Sequence, residues 1–192
     1  LEDLVYGLML RSGNDAAVTI AEHVGGSLEG FVFLMNQKAE EIGCENTYFI
    51  TPNGLDAEDE KGFHSTTAKD LAKIMSYCVQ KSPKKDLFLE ITSKANHMFS
   101  NIEGKKTYIC TNHNSYLAMN ADAISGKTGY TGKAGYCYVG AVKSEGRNFV
   151  VSLLACGWPN QKTYKWKDMK EIIDYATEEF QLQEYPETLD SN

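Results

Sequence analysis

The chain of 192 residues is poor in proline and tryptophan, with four and two residues, and its only arginines are Arg11 and Arg147. Scarce arginine leaves few side chains able to grip a carboxylate or phosphate with a fork of paired donors. Positive charge is in deficit as well. Nineteen Lys+Arg against 26 Asp+Glu give a net charge of −7, and no dense basic cluster exists to displace counterions from a run of phosphates. That excludes nucleic acid as a partner. The longest apolar run, Phe31 to Met35, is far short of a membrane-crossing helix, which needs roughly 20 such residues. The first ten residues read as amphipathic helix, without the basic start, apolar stretch and cleavage site of a secretion signal. Because the chain opens on Leu1, a piece of a longer protein is expected. Cys44, Cys78, Cys110, Cys137 and Cys156 show no C-x-x-C and no zinc spacing with histidine. Neither a metal site nor a disulfide framework is therefore expected, at least one thiol is free, and burial as small apolar side chains is the expectation. His23, His64, His97 and His113 have no ligand spacing among themselves and read as capping, surface or core polar groups, His64 as a structural one.

What is present is an ordinary globular composition, 42% hydrophobic and 23% charged, at a length that suits one compact domain. Leu1, Leu4, Val5 and Leu8 predict a helix running into Ser12, and Gly13 breaks it. Ser12 or Asn14 can cap a second helix to about Val24, closed by Gly25-Gly26. Ser27 caps a third, whose apolar face is Phe31, Leu34, Met35, Ala39 and Ile42. Cys44 to His64 is irregular, with a Thr51-Pro52-Asn53-Gly54 turn. Ser65 to Asp70 opens a helix with Leu71, Ile74, Met75 and Cys78 on one face, ending before Pro83. A short helix and a hairpin around Glu103-Gly104 follow. Strands are then expected over Ile124–Gly129, Tyr136–Val142 and Phe149–Cys156, the last two joined through Ser144-Glu145-Gly146-Arg147. Gln161 to Phe180 reads as a closing helix with Trp166, Met169, Ile172, Ile173, Ala176 and Phe180 inward. The fold class is α+β, helices packed on an antiparallel sheet. Its organisation is a helical part over 1–95, a sheet and closing helix over 96–182, and a loose tail over 183–192. A sheet of three strands leaves an edge wanting partners.

Two short motifs carry chemistry. Ser12-Gly13-Asn14 presents a hydroxyl and an amide at a break between helices; helix capping is the plain alternative for both. Lys127-Thr128-Gly129 lies on a strand that continues to Tyr136, and sets an ammonium beside a hydroxyl, which suits a carboxylate. Gly129 and Gly135 let backbone approach a ligand, and the N–H after Gly129 can face an oxyanion.

In this order and setting the motifs resemble those of the penicillin-interacting serine peptidases and β-lactamases, whose third signature is Ser-x-x-Lys. Leu4 to Ala17, Thr47 to Asp56, His64 to Leu71 and Gly126 to Cys137 are similar to the low-molecular-mass penicillin-binding proteins, specifically the serine-type D-alanyl-D-alanine carboxypeptidases, and the match runs in register to about residue 180. The resemblance implies a DD-peptidase/β-lactamase-like fold, incomplete at its start, in a cell-envelope enzyme outside the cytoplasmic membrane. Such an enzyme removes the terminal D-Ala of peptidoglycan stem peptides through a penicillin-sensitive acyl-enzyme, with no metal or cofactor. It implies a proton relay for Ser12, substrate amide binding for Asn14, and carboxylate binding for Lys127 and Thr128 beside Gly129. It also implies an oxyanion donor in the backbone N–H of Tyr130, where some relatives have His.

One departure follows. Only eleven residues precede Ser12, none forming Ser-x-x-Lys, and the one literal match, Ser82-Pro83-Lys84-Lys85, follows a helix end and contains proline. The nucleophile is thus expected outside these residues, and the chain alone is expected to be inactive and to form no β-lactam adduct. Strands and a central helix that the family draws from upstream imply an exposed edge and self-association through it. A non-catalytic cell-wall peptide-binding module is the alternative. A P-loop reading of Ala121 to Thr128 fails because no helix opens after Thr128. Lys133 reads as solvated, and Trp158 as packing rather than lining a cleft.

Overall fold

The computed structural model describes residues 1–180; the tail expected over 183–192 lies outside the described residues. Three helices lead, α1 (Glu2–Arg11), α2 (Asn14–Gly25) and α3 (Leu28–Ile42). Ser27 caps α3 as expected, its Oγ accepting from the Gly30 N–H at 3.0 Å. Apolar periodicity misjudges the faces of these helices. Leu1 is exposed, and α1 buries Tyr6 and Leu10 against Ile91 and Cys110. Tyr6 takes the core because His97 stacks on its ring at 3.7 Å and the Lys94 ammonium lies 4.9 Å from its centroid. On α3, Ala39 is buried whereas Phe33 and Leu34 are exposed.

The irregular segment after α3 contains a small hairpin, β1 (Glu58–Asp59) with β2 (Gly62–Phe63), in its acidic stretch. Its order comes from two side chains. The Asp70 carboxylate accepts from the Asn46 N–H at 2.8 Å and from the Thr47 hydroxyl at 3.0 Å. His64 Nδ1 accepts from the N–H groups of Ile50 and Thr51 at 2.9 and 3.2 Å, so this histidine is structural, as expected. Then α4 (Ala68–Ser76) starts at Thr67, whose hydroxyl accepts from the Asp70 N–H at 3.1 Å. A π-helical turn over Tyr77–Lys81 runs it out to Ser82, and α5 (Lys85–Ser93) follows. The expected hairpin is β3 (Asn96–Ser100) against β4 (Thr107–Thr111), and α6 (Tyr116–Met119) links it to the sheet.

That sheet is β5 (Ala123–Thr131), β6 (Gly135–Ser144) and β7 (Arg147–Leu153), an antiparallel meander of order β5-β6-β7. Glu145 and Gly146, both at positive φ, make the two-residue turn between β6 and β7. Strand alternation splits the core in two. Tyr138, Val142, Val151 and Leu153 face Tyr116 of α6 and Met169 and Ile173 of the closing helix α7 (Tyr164–Glu179). Ala141 packs with Met75 of α4 and Val79 of the π turn, with Ile124, Val139 and Val150 around them. On α7, Ile172 and Phe180 are exposed, against expectation, because the sheet reaches only the Met169–Ile173 stripe. Of the five thiols only Cys110 is buried and all are free, so the expectation of burial fails for the other four.

Tyr138 lies flat across two glycines. Gly126 and Gly140 pair across β5 and β6, and a Cβ on Gly140 would come within 2.5 Å of the Tyr138 ring. A Gly140→Ala exchange is expected to cost about 1–3 kcal/mol by overpacking. Gly132→Ala, where a Cβ meets nothing within 4 Å, is expected to be close to neutral. Urea midpoints of the two variants check this.

Candidate active site

Only Ser12 and Gly13 separate α1 from α2, and Gly13 sets the two chemical residues on either side of it. Ser12 ends α1 in the left-handed region, φ 57° and ψ 44°, where its N–H and that of Gly13 satisfy the carbonyls of Leu8 and Gly7 at 3.0 and 3.1 Å. Asn14 is the first residue of α2, whose cap is Gly13 without any side-chain bond. The capping expected of Ser12 or Asn14 therefore does not occur. Both side chains are exposed, and the helix ends are closed by backbone instead.

Lys127 comes from the middle of β5. Ser125 Oγ lies 2.8 Å from Thr92 Oγ1 of α5, which fixes that face of the strand, and Lys127, two residues on, leaves by the same face. Its ammonium donates to Ser12 Oγ and, at 2.8 Å, to the carbonyl of Thr128. Among the described residues no carboxylate pairs with it, and burial lowers its pKa from 10.5 to about 8. His113 shares its field. His113 is pulled below its ordinary value first by burial, then by Arg11, Lys127 and Lys162. A desolvated cation without a paired acid fits an anionic ligand.

Thr128 is half-buried and Gly129 exposed. The Tyr130 ring lies tilted against Tyr136, centroids 4.5 Å apart. Thr131 donates to Asp56 Oδ1 at 2.9 Å and accepts from the Ala134 N–H at 3.0 Å, which pins the β5–β6 turn to the irregular segment. Gly135 serves packing rather than ligand approach. It is buried at positive φ, and a Cβ there would meet the Gly157 carbonyl at 2.8 Å and the Trp158 ring at 3.2 Å. Trp158 Nε1 donates to the Gly132 carbonyl at 3.0 Å, but the ring is 42% exposed, so it rests on Gly135 without entering the core as a packing residue would. Ser82 accepts from the Lys84 N–H at 3.2 Å in a turn remote from this cluster in sequence and fold. Residues 123–131 form a strand, which removes the P-loop reading. No cluster that could hold a metal exists among the described residues, and no helix among them is long and apolar enough to cross a membrane. A groove of about 1050 Å³ lies elsewhere, between α3 and the irregular segment, and contains none of the motif residues.

Sequence reasoning missed Arg11 and His113 as neighbours of the site. His113 N–H bonds the Leu10 carbonyl at 3.0 Å, a contact across the whole helical part that no local pattern announces.

The D-alanyl-D-alanine carboxypeptidase family model matches residues 1–155. The chain is 36% identical over 151 residues to D-alanyl-D-alanine carboxypeptidase DacB2 of Mycobacterium tuberculosis, covering 79% of this chain and 49% of that protein. It is 31% identical over 184 residues to DacA of Haemophilus influenzae, covering 93% of this chain and 42% of that one. Among solved structures, a D-alanyl-D-alanine carboxypeptidase from M. tuberculosis superposes with a TM-score of 0.81 at 32% identity, over 94% of this chain and 64% of that one. Cefotaxime-bound penicillin-binding protein D2 of Listeria monocytogenes superposes with a TM-score of 0.75 at 29% identity, over 91% and 65%. The fold is that of the penicillin-binding DD-peptidases. The chain belongs to the D-alanyl-D-alanine carboxypeptidase family, and it spans about half the length of the curated relatives it matches.

The lowered pKa of Lys127 makes stability depend on pH with a definite sign. Below about pH 8 the folded and unfolded chains are both protonated there, and the cost of the buried charge is complete. Between about 8 and 10.5 the unfolded chain binds more protons, so stability rises with pH. Lys127→Met is expected to be stabilised over the parent at pH 7, by a margin that shrinks towards pH 10.5. A margin constant across urea midpoints in that range would contradict the assignment.

Proposed function

We propose that this chain supplies the carboxylate-holding and proton-relaying side of the cleft of a serine-type D-Ala-D-Ala carboxypeptidase acting on peptidoglycan stem peptides outside the cytoplasmic membrane. The observation that carries the reading is the bond from the Lys127 ammonium to Ser12 Oγ. Because Lys127 occupies a lone pair of that oxygen, the Ser12 hydroxyl hydrogen is left to donate elsewhere. A nucleophilic serine, in a Ser-x-x-Lys segment that these residues lack, attacks the carbonyl of the penultimate D-Ala and gives its proton to the neighbouring lysine. Ser12 then passes a proton to the departing D-Ala amine. Lys127 and Thr128, beside Gly129, hold the terminal carboxylate, and Asn14 binds the peptide amide. The backbone N–H of Tyr130 faces the developing oxyanion, a donor worth about 2.7–4 kcal/mol of barrier.

Family membership and the cefotaxime-bound structural relative support β-lactams as inhibitors of the complete site. Intact mass after incubation with excess penicillin tests the reading. This chain is expected to stay unmodified, and a protein extended upstream through Ser-x-x-Lys to gain one acyl adduct that Ser12→Ala forms much more slowly. An adduct on these 192 residues would place an activated hydroxyl within them and overturn the division of labour.

A binding role for the chain by itself has its own observation, since Lys127 is desolvated and unpaired among the described residues. Acyl-D-Ala-D-Ala is expected to bind weakly and to lose affinity as pH rises through about 8, where the ammonium discharges. We further propose self-association through an open edge of the three-stranded sheet, β5 or β7. A light-scattering mass equal to one chain at high concentration rejects it.

A further inference from the structure

The segment between β4 and α6, Asn112-His113-Asn114, touches the elements that carry Ser12 and Lys127 and the helix behind β5. Asn112 Nδ2 donates to the carbonyls of Thr92 and Lys94 at 2.9 and 3.0 Å, and so holds the end of α5. His113 N–H donates to the Leu10 carbonyl at 3.0 Å, on the last turn of α1 and two residues before Ser12. Asn114 reaches β5. Its amide nitrogen is the nearest atom outside Tyr138 to where a Cβ of Gly126 would stand, at 2.8 Å, with Tyr138 Oη at 2.2 Å. Gly126 directly precedes Lys127.

Asn114 is 4% exposed, and only half of its hydrogen-bonding capacity is used. Its Oδ1 accepts from the Tyr116 N–H at 3.2 Å, and its own N–H donates to Asn112 Oδ1 at 2.9 Å. Its Nδ2 has no partner meeting hydrogen-bond geometry, and neither has the Tyr138 hydroxyl. Leaving such donors unmade is costly. A role limited to packing would be met at lower cost by an apolar side chain of the same volume. The two orphaned groups converge on the one residue of β5 that lacks a side chain, immediately before Lys127.

We propose that Asn114 is a positioning residue for Lys127: with the Tyr138 hydroxyl it clamps β5 at Gly126 while its neighbour His113 clamps the end of α1, fixing the span between the Lys127 ammonium and Ser12 Oγ. The inference rests on the proposed role of the Ser12 and Lys127 pair. Its physical content is that the span is set by backbone anchors of segment 112–114, rather than by the ammonium–hydroxyl bond finding its own distance. When the clamp is loosened, the ammonium gains water and its pKa rises from about 8 towards 10.5. Of the titratable groups, His113 of the clamp shares a field with the ammonium, and Arg11 of α1 and Lys162 ahead of α7 face His113 in turn.

The test is an NMR titration of isotope-labelled lysine side chains in the chain as it stands, the Lys127 signal being identified by its loss in Lys127→Met. Asn114→Ala is expected to move that titration up by about one pH unit or more. Ile173→Ala, a core truncation on α7 that faces the sheet, is expected to lower stability and leave it in place. An unmoved Lys127 titration in folded Asn114→Ala overturns the proposal. Should Asn114→Ala fail to fold, Tyr138→Phe decides, since it keeps the ring over Gly126 and removes the hydroxyl. A smaller upward movement supports the clamp, and no movement rejects it. If Lys127 of the parent chain already titrates near 10.5, the site reading itself fails, which separates that failure from failure of the clamp.

Discussion

A lysine ammonium that is partly withdrawn from water and given a hydroxyl instead of a carboxylate is costly, and the architecture around Lys127 is arranged to sustain that cost. To reach Ser12, β5 must present Lys127 on the face that α5 covers, which the Ser125 to Thr92 bond secures. The first helix must stop at Ser12, which a left-handed residue and the single Gly13 achieve. The partners are 115 residues apart in sequence, so neither half defines the site. Helices and sheet must be docked before the pair exists, and docking at such separation carries the loop-closure entropy of almost the whole chain.

Much of this was legible beforehand where local chemistry decides. The turn at Glu145-Gly146, the cap at Ser27 and the break at Gly13 follow from residues able to adopt one conformation more cheaply than their neighbours. The two motifs were visible because they combine unusual residue types at fixed spacing, and they stand where expected relative to their elements. Helix faces were less legible. Periodicity counts Leu1, Leu34, Ile172 and Phe180 as inward, but each helix buries only the stripe that its neighbour reaches. Tyr6 wins over leucine through a stacked His97 that lies more than ninety residues away. The same blindness to distance hid the surroundings of the site. Nothing near His113 in sequence says that it touches the end of α1, and nothing near Arg11 says that it shares a field with Lys162.

The meander also explains why glycine recurs in β5 and β6. Gly126 and Gly140 leave room for Tyr138 to lie across the strands rather than stand upright. The ring then joins Tyr116 and Trp166 in an aromatic layer under α7, with Tyr138 edge-on to Trp166 at 5.0 Å. That layer stiffens the face opposite Lys127. A strand whose rear is packed with aromatic rings has little freedom to bow, so a ligand laid along its front meets a surface of fixed curvature.

The position of Ser12 at the very end of α1 has an electrical side. The last carbonyls of a helix carry partial negative charge, and those of α1 lie behind the hydroxyl that the Lys127 ammonium bonds. An aspartate in the same place would hold the cation more strongly, but it would also neutralise it. A helix pole is diffuse and uses none of the ammonium's capacity to bind a discrete anion. The chain thus keeps a cation in place without quenching it, which is the state that the proposed carboxylate binding requires.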